Sequence, residues 1–312
     1  MSSGTQLKRT VITGGAGFVG SHLVEELSKR GHQVVILDDL STGKLENIAP
    51  LLEKGNVEFI QDSITDLPLL QRLFRGADYV FHLAAIASVS RSVEVPQECH
   101  EVNATGTLKV LIAARDNKVK KVVNASSCAV YGDAPELPKR EAMLPAPTSP
   151  YAATKSAAEQ YCQVFHQIYH LPAVSLRYFN IFGPRQDPES DYAAVIPRFI
   201  KMAAQGKAPI IYGDGEQSRD FIFVKDVVAA NILFAGNSAS GVFNIGSGES
   251  TTINRLAQII SQLAGSKTPP IYKPPRAGDI RHSLADIAKA RAFGYNPKYN
   301  LEAGLKETVI GE

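Results

Sequence analysis

Cysteine is scarce in this chain: Cys99, Cys128 and Cys162 are the only three in 312 residues. Three cannot all pair, and none forms a C-x-x-C, so a disulfide framework is not indicated and a reduced, cytoplasmic setting is expected. An excess of one charge is also missing. Lys and Arg total 33 against 31 Asp and Glu. Without a basic stripe or an acidic tail, a nucleic-acid or membrane-surface partner has no support. No apolar run nears the roughly 18 residues of a membrane span. Residues 80–87 form one of the longest, and His82 interrupts it. Residues 1–10 are polar, so no signal peptide is expected. Apolar residues, at 44%, are too many for a disordered chain. What is left is a globular protein with room for two domains, or for one large α/β unit with an appendage.

The 24 glycines are ordinary in number but not in placement. Residues 9–12 read as a strand, and Gly14-Gly15-Ala16-Gly17-Phe18-Val19-Gly20 follows at once. Residues 21–30 then read as a helix with Leu23, Val24 and Leu27 on one face, ended by Gly31. Residues 33–37 are a second strand, closed by Asp38 and Asp39. Alternation continues with strands at 57–60, 79–83, 122–125 and 173–178, and helices at 67–74, 102–117 and 151–169. Short, near-continuous apolar strands between helices predict a doubly wound parallel sheet, an α/β fold of the Rossmann type. Beyond residue 182 prolines crowd the chain and the segments shorten. The expected division is a dinucleotide-binding domain, 1–182 plus about 220–250, and a smaller mixed α/β domain, about 183–219 plus 251–312. Residues 221–224 and 242–245 are expected to be strands that return to the first domain.

Gly14, Gly17 and Gly20 give G-x-x-G-x-x-G. Glycine permits the tight bend and lets backbone approach a pyrophosphate, while the helix start offers free N–H groups and partial positive charge. Asp38 lies 18 residues after Gly20, at a strand end. There its carboxylate can accept both adenosine ribose hydroxyls and would repel a 2′-phosphate, which favours NAD over NADP. Asp62, at the end of the third strand, is a candidate adenine contact.

Tyr151 and Lys155 stand at i, i+4 near a helix start, on one face. A phenol titrates near pH 10, roughly. A nearby ammonium and a positive nicotinamide ring would favour its phenolate. Lys155 can also bond the nicotinamide ribose. Ser127 ends the fifth strand, at the carboxyl edge where ligands bind in such sheets, and can share a substrate proton with Tyr151.

With these motifs the chain resembles the extended short-chain dehydrogenase/reductases, and among them the nucleotide-sugar epimerases. The resemblance also rests on His82-Leu83-Ala84-Ala85, Asn103-Ala104-Thr105-Gly106-Thr107, Ser126-Ser127-Cys128-Ala129-Val130-Tyr131-Gly132, Arg177-Tyr178-Phe179-Asn180, Gly213-Asp214-Gly215, Arg219-Asp220-Phe221 and Arg276-Ala277-Gly278-Asp279. It implies Ser127, Tyr151 and Lys155 as catalytic residues. It implies NAD held by Gly14, Gly17, Phe18, Val19, Asp38, Asp62, Ser63, Leu83, Ala84, Ala85, Asn103, Tyr151, Lys155 and Tyr178. Asn103 would buttress the cofactor loop or the sheet. For the substrate it implies Asn180 at the pyrophosphate, Arg219 and Arg276 on the phosphates, Val195 and Tyr212 at the uridine, and Asp279 at the nucleotide ribose, beside Ser127 and Tyr151. Paired long helices would make a homodimer.

The implied reaction is NAD-dependent inversion of C4 of a UDP-hexose through a transient 4-keto sugar. Related dehydratases carry Thr-Asp-Glu after the fifth strand, and related decarboxylases a glutamate at the third of those places. Here Ser127, Cys128 and Ala129 stand there. In related epimerases the position of Ser283 walls the 2-substituent of the sugar. A small residue there admits N-acetyl groups, which predicts UDP-N-acetylglucosamine beside UDP-glucose. Ser88 and Arg91 could line the sugar pocket or contact a carboxylated sugar, which keeps UDP-glucuronate epimerisation open. The rival of another class is an inert NAD-binding protein. No metal site is expected: His166 and His170 sit at i, i+4 but lack the glutamate of the zinc motif. Cys128 is expected as a small buried residue.

Overall fold

The computed structural model describes residues 8–188, 194–275 and 280–310. Seven strands form the main sheet: β1 (Arg9–Thr13), β2 (Gln33–Asp38), β3 (Val57–Gln61), β4 (Tyr79–His82), β5 (Lys121–Ser127), β6 (Ala173–Tyr178) and, much later in the chain, Gly241–Ile245. Their order across the sheet is Gly241–Ile245, β6, β5, β4, β1, β2, β3. The β1–β2, β2–β3, β1–β4 and β4–β5 pairings are all parallel. The order reverses between β1 and β4, the switch point at which ligands bind in such sheets. Thr13 and His82 face each other there in register.

Local chemistry accounts for the helices. Phe18–Lys29 buries Leu23, Val24 and Leu27 and is stopped by Gly31, at φ +80°. Leu67–Leu73 is capped by Asp66, which accepts from the Leu69 N–H at 3.0 Å, with Pro68 in its first turn. The 20-residue helix Pro150–Tyr169 starts on Ser149 and Pro150 and ends on His170, in the left-handed region. The helix expected over 102–117 is interrupted. Glu101–Thr105 forms a π-helical turn before the regular helix Gly106–Asp116. Between β4 and that turn lie two short helices, Val89–Glu94 and Pro96–His100.

The chain divides into two compact units. The first comprises Met1–Gly132, Pro145–Arg177 and Val228–Phe243. Its core packs Val11, Val35, Leu37, Phe74 and Val80 with Val110, Leu111, Val122 and Phe165. The second comprises Asp133–Leu144, Tyr178–Val227 and Asn244–Glu312. Here the expected boundaries change. Residues 178–182 leave the first unit because the Phe179 N–H bonds Ile245 O at 3.0 Å and Asn180–Phe182 (β7) pairs in parallel with Phe221–Phe223. The strand expected at 221–224 to return to the first domain therefore lies in the second unit, in this separate two-stranded sheet. Residues 133–144 join the second unit because the Lys139 N–H bonds Leu284 O and the Asp286 N–H bonds Lys139 O, each at 2.8 Å. That unit also holds the amphipathic helix Val195–Ala204 and two small pairings. Ile210–Tyr212 lies parallel to Ile271–Lys273, and Ser218–Arg219 antiparallel to Thr251–Thr252. Among the described residues no helix is long and apolar enough to cross a membrane.

Candidate active site

The glycine turn follows β1 at the switch point. Gly14 adopts φ +73°, and a Cβ there would stand 2.7 Å from the Ala84 nitrogen, so the turn lies hard against the loop after β4. A Cβ at Gly20 would run into Gly14 O. Gly17 caps the Phe18–Lys29 helix without a side-chain bond, leaving the start of the helix to a ligand. Phe18 and Val19 are half-buried in its first turn. This is a cradle only glycine can form, and it suits a pyrophosphate.

Asp38 ends β2 and is buried. Its two carboxylate oxygens accept from the Ala16 and Leu40 N–H groups, each at 2.9 Å. Burial pushes its carboxyl up, and those N–H groups oppose the shift. The Gly17 N–H also acts on the carboxylate, which keeps acceptor capacity for the ribose of NAD. Asp62 is exposed at the neighbouring strand end. Its N–H meets Asp38 O at 3.2 Å and its carboxylate accepts from the Ser63 N–H at 2.7 Å.

Leu83, Ala84 and Ala85 are half-buried beyond β4. The Leu83 N–H bonds Thr13 O at 3.0 Å and the Ala84 N–H bonds Thr13 Oγ1 at 3.3 Å. His82 ties this corner together. Nδ1 meets Thr13 Oγ1 at 2.8 Å and Nε2 meets Thr107 Oγ1 at 2.9 Å. Burial, then the Lys155 charge, depresses its pKa to about 3, so the ring is neutral. Asn103, on the π turn, grips the same loop from the other side. Oδ1 accepts from the Ile86 N–H at 2.8 Å, and Nδ2 donates to Ile86 O at 3.0 Å and Thr154 Oγ1 at 3.1 Å.

Ser127, Tyr151 and Lys155 come together in the first unit. The Tyr151 N–H is held by Ser92 Oγ at 3.0 Å, and the nearby Ser127 hydroxyl favours the ionised form of its phenol. Ser127 Oγ also accepts from the Ala129 N–H at 3.1 Å. Lys155 is buried, donates to Ala125 O at 2.8 Å and lies 5.9 Å from the Tyr151 ring centre. Burial lowers its pKa to about 8. Burial also raises the Tyr151 phenol to about 12, against the opposing bond from Ser127. In the chain alone burial is the largest influence on the phenol, because the ring is cut off from water. Cys128 is half-buried rather than buried. Ser88 caps the short helix after β4 by accepting from the Arg91 N–H at 3.0 Å, and Arg91 is engaged by Glu98 at 3.2 Å and Glu94 at 4.0 Å.

A second set of residues comes together in the other unit. A cleft of about 310 Å³ is lined by Asn180, Val195, Tyr212 and Arg219, four of the expected substrate residues, with Arg198 and Gln217 beside them. Among the described residues its lining contains no carboxylate. Both the N–H and the side-chain amide of Asn180 donate to Asp220 O, at 3.0 and 3.1 Å. Arg219 Nη1 donates to Ser218 O at 2.9 Å. Asp220 is fully buried, its carboxylate taken by Ser247, Gly248 and Ala285. Tyr178 is buried at the end of β6. Ser283 is buried, bonded through its N–H to Ser218 O at 3.0 Å, and is not part of the cleft lining. Arg276 and Asp279 lie outside the described residues. Arg198 was missed because a single arginine on an amphipathic helix carries no spacing signal.

Comparison with known proteins identifies the family of the chain. The model of the NAD dependent epimerase/dehydratase family matches residues 10–246. A UDP-glucose 4-epimerase of Mycolicibacterium smegmatis is 40% identical over 305 residues, covering 96% of this chain and 97% of that one. A UDP-N-acetylglucosamine 4-epimerase from Methanobrevibacter ruminantium, solved in complex with UDP-N-acetylmuramic acid, is 47% identical with a TM-score of 0.95, over 98% of both chains. A Thermus thermophilus UDP-glucose 4-epimerase solved with NAD is 40% identical with a TM-score of 0.88, over 97% of this chain and 98% of that one.

Proposed function

The chain belongs to the NAD-dependent epimerase/dehydratase family, and we propose that it inverts C4 of UDP-hexoses, UDP-N-acetylglucosamine as well as UDP-glucose. One observation carries this reading. A Ser127–Tyr151–Lys155 cluster shares a unit with the glycine cradle and Asp38, and Ala129 leaves no carboxylate where elimination or decarboxylation would need one.

Gly14, Gly17 and Asp38 would hold the cofactor. Bound NAD supplies the acceptor and donor of the C4 hydride and places a positive charge in the site. Tyr151 Oη takes the proton of the 4-hydroxyl, with Ser127 Oγ sharing it. Positive charge added beside the buried phenol favours its phenolate, as the Ser127 hydroxyl does. Lys155 keeps two of its three N–H donors beyond the Ala125 bond for the ribose and for the charge on Oη. The nucleotide is gripped by Asn180, Val195, Tyr212 and Arg219, whose guanidinium suits a diphosphate. The sugar, oxidised at C4, turns about its diphosphate linkage, and Tyr151 returns the proton to O4. Binding energy remote from the reacting carbon keeps the keto sugar from escaping.

Acceptance of the N-acetyl sugar rests on Ser283, a small residue, and on the 47% identity to a UDP-N-acetylglucosamine 4-epimerase. A homodimer is supported by the apolar stripe Tyr161, Val164 and Ile168, exposed at 37%, 41% and 64% on the Pro150–Tyr169 helix. Incubation of the protein with UDP-glucose, UDP-galactose, UDP-N-acetylglucosamine and UDP-glucuronate, with products separated chromatographically, tests the reading. Interconversion of the first two and formation of UDP-N-acetylgalactosamine are expected. No product from the N-acetyl sugar removes the finer assignment, and no product at all removes the coarser one.

A further inference from the structure

We infer that the buried pair Glu159–Arg177 is a positioning device for Ser127, set around the fifth strand's end. The inference rests on the proposed reaction for its kinetic consequence and on geometry alone for its structural one. Glu159 lies one helical turn beyond Lys155 on the Pro150–Tyr169 helix. Its carboxylate accepts two parallel bonds from Arg177 of β6, Nε to Oε1 at 2.8 Å and Nη2 to Oε2 at 2.7 Å. Oε1 also accepts from Ser126 Oγ. The pair is sealed from water, with side-chain exposures of 3% for Arg177 and 5% for Glu159. The guanidinium lies 4.6 Å from the ring centre of Tyr131, which is buried at the end of the single 3₁₀ turn Cys128–Tyr131.

These contacts bracket one residue. Ser126 precedes Ser127, and Tyr131 ends the turn that Ser127 caps. Lys155 grips the strand from the same helix at Ala125 O, 2.8 Å away. Ser127 is thus set from both sides of the chain by groups anchored on the helix that carries Tyr151. A buried ion pair is weak evidence for stability, because desolvation offsets its attraction. A carboxylate that takes one bond from Ser126 and two from an arginine stacked on Tyr131 touches the chain on both sides of Ser127, which is better explained by registration. A hydroxyl displaced by even a fraction of an ångström loses its share of the proton transfer.

The test uses the holoprotein and the variants Ser126→Ala and Glu159→Gln. Ser126→Ala removes one bond to a charged acceptor and leaves the ion pair intact, so it is expected to fold and to keep its NAD. Amide exchange over residues 125–131 should accelerate about tenfold relative to the wild type, with the remaining sheet unchanged. The kcat for UDP-galactose should fall about tenfold at unchanged KM and NAD content. Glu159→Gln should exceed Ser126→Ala in both readouts wherever it folds. Wild-type exchange over 125–131 in Ser126→Ala overturns the inference, as does a wild-type kcat, or a loss of kcat matched by loss of NAD. If the wild-type protein turns over no UDP-sugar, the proposed reaction fails and the exchange measurement alone decides the positioning role.

Discussion

Lys155 stands one helical turn beyond Tyr151, with its ammonium 5.9 Å from the centre of the phenol ring and bonded instead to Ala125 O. Burial holds Tyr151 near 12 and Lys155 near 8, so at neutral pH the phenol keeps its proton beside an ammonium that is still charged. Tyr151→Phe keeps the ring and its packing and removes only the hydroxyl. Turnover should fall by about 10²–10⁴-fold, the range for a lost general acid–base group. NAD released on denaturation, measured by absorbance, should stay at the wild-type level. Retained turnover would falsify the assignment of the phenol as base.

Lys121 gives a pH prediction for stability. It is buried, and among the described residues its ammonium donates to the carbonyls of Ala239 and Asn237. Burial lowers its pKa from 10.5 to about 8. Between those values the unfolded chain binds more protons than the folded one, so this group adds stability as pH rises and withholds it below. In urea unfolding, the stability of wild type minus that of Lys121→Met should therefore increase from about pH 7.5 to about pH 9.5. A constant or falling difference contradicts the shift.

The cleft predicts a role for Arg198. Among the described residues its guanidinium has no partner, and it lies on the same helix face as Val195. A cation facing an anionic ligand in a lining without carboxylates contributes binding equally in ground and transition states. Arg198→Ala should raise KM for UDP-sugars about tenfold, weaken inhibition by UDP in proportion and leave kcat unchanged. Steady-state kinetics with UDP as competitor checks this, and an unchanged KM rules the contact out.

Much of the first unit was legible because its signals are local. The glycine turn, Asp38 and the Tyr151–Lys155 spacing each lie within one element or between neighbours, and they occur as read. Partners distant in sequence were not legible. The strand Phe221–Phe223 is as apolar as a main-sheet strand, yet it pairs with Asn180–Phe182 instead. Glu159 and Arg177 occupy a helix and a strand, and neither pattern reveals that they meet. The π turn at Asn103 has no compositional mark, and only the loop it holds shows why the helix is broken there.

The exposed stripe on the long helix makes an assembly prediction. Ile168 is 64% exposed, with Val164 and Tyr161 on the same face. Ile168→Glu would bury a carboxylate in an interface built on that stripe. Sedimentation velocity at micromolar concentration should show a dimer for the wild type and a monomer for the variant. A wild-type monomer removes the dimer proposal.

Hydride leaving and returning at one carbon of one bound sugar is the centre of this account. UDP-galactose carrying deuterium at C4 tests it most directly. The account predicts UDP-glucose with the deuterium still on C4, no label in solvent and no free NADH. Loss of label to water, or NADH accumulating in step with product, would contradict it.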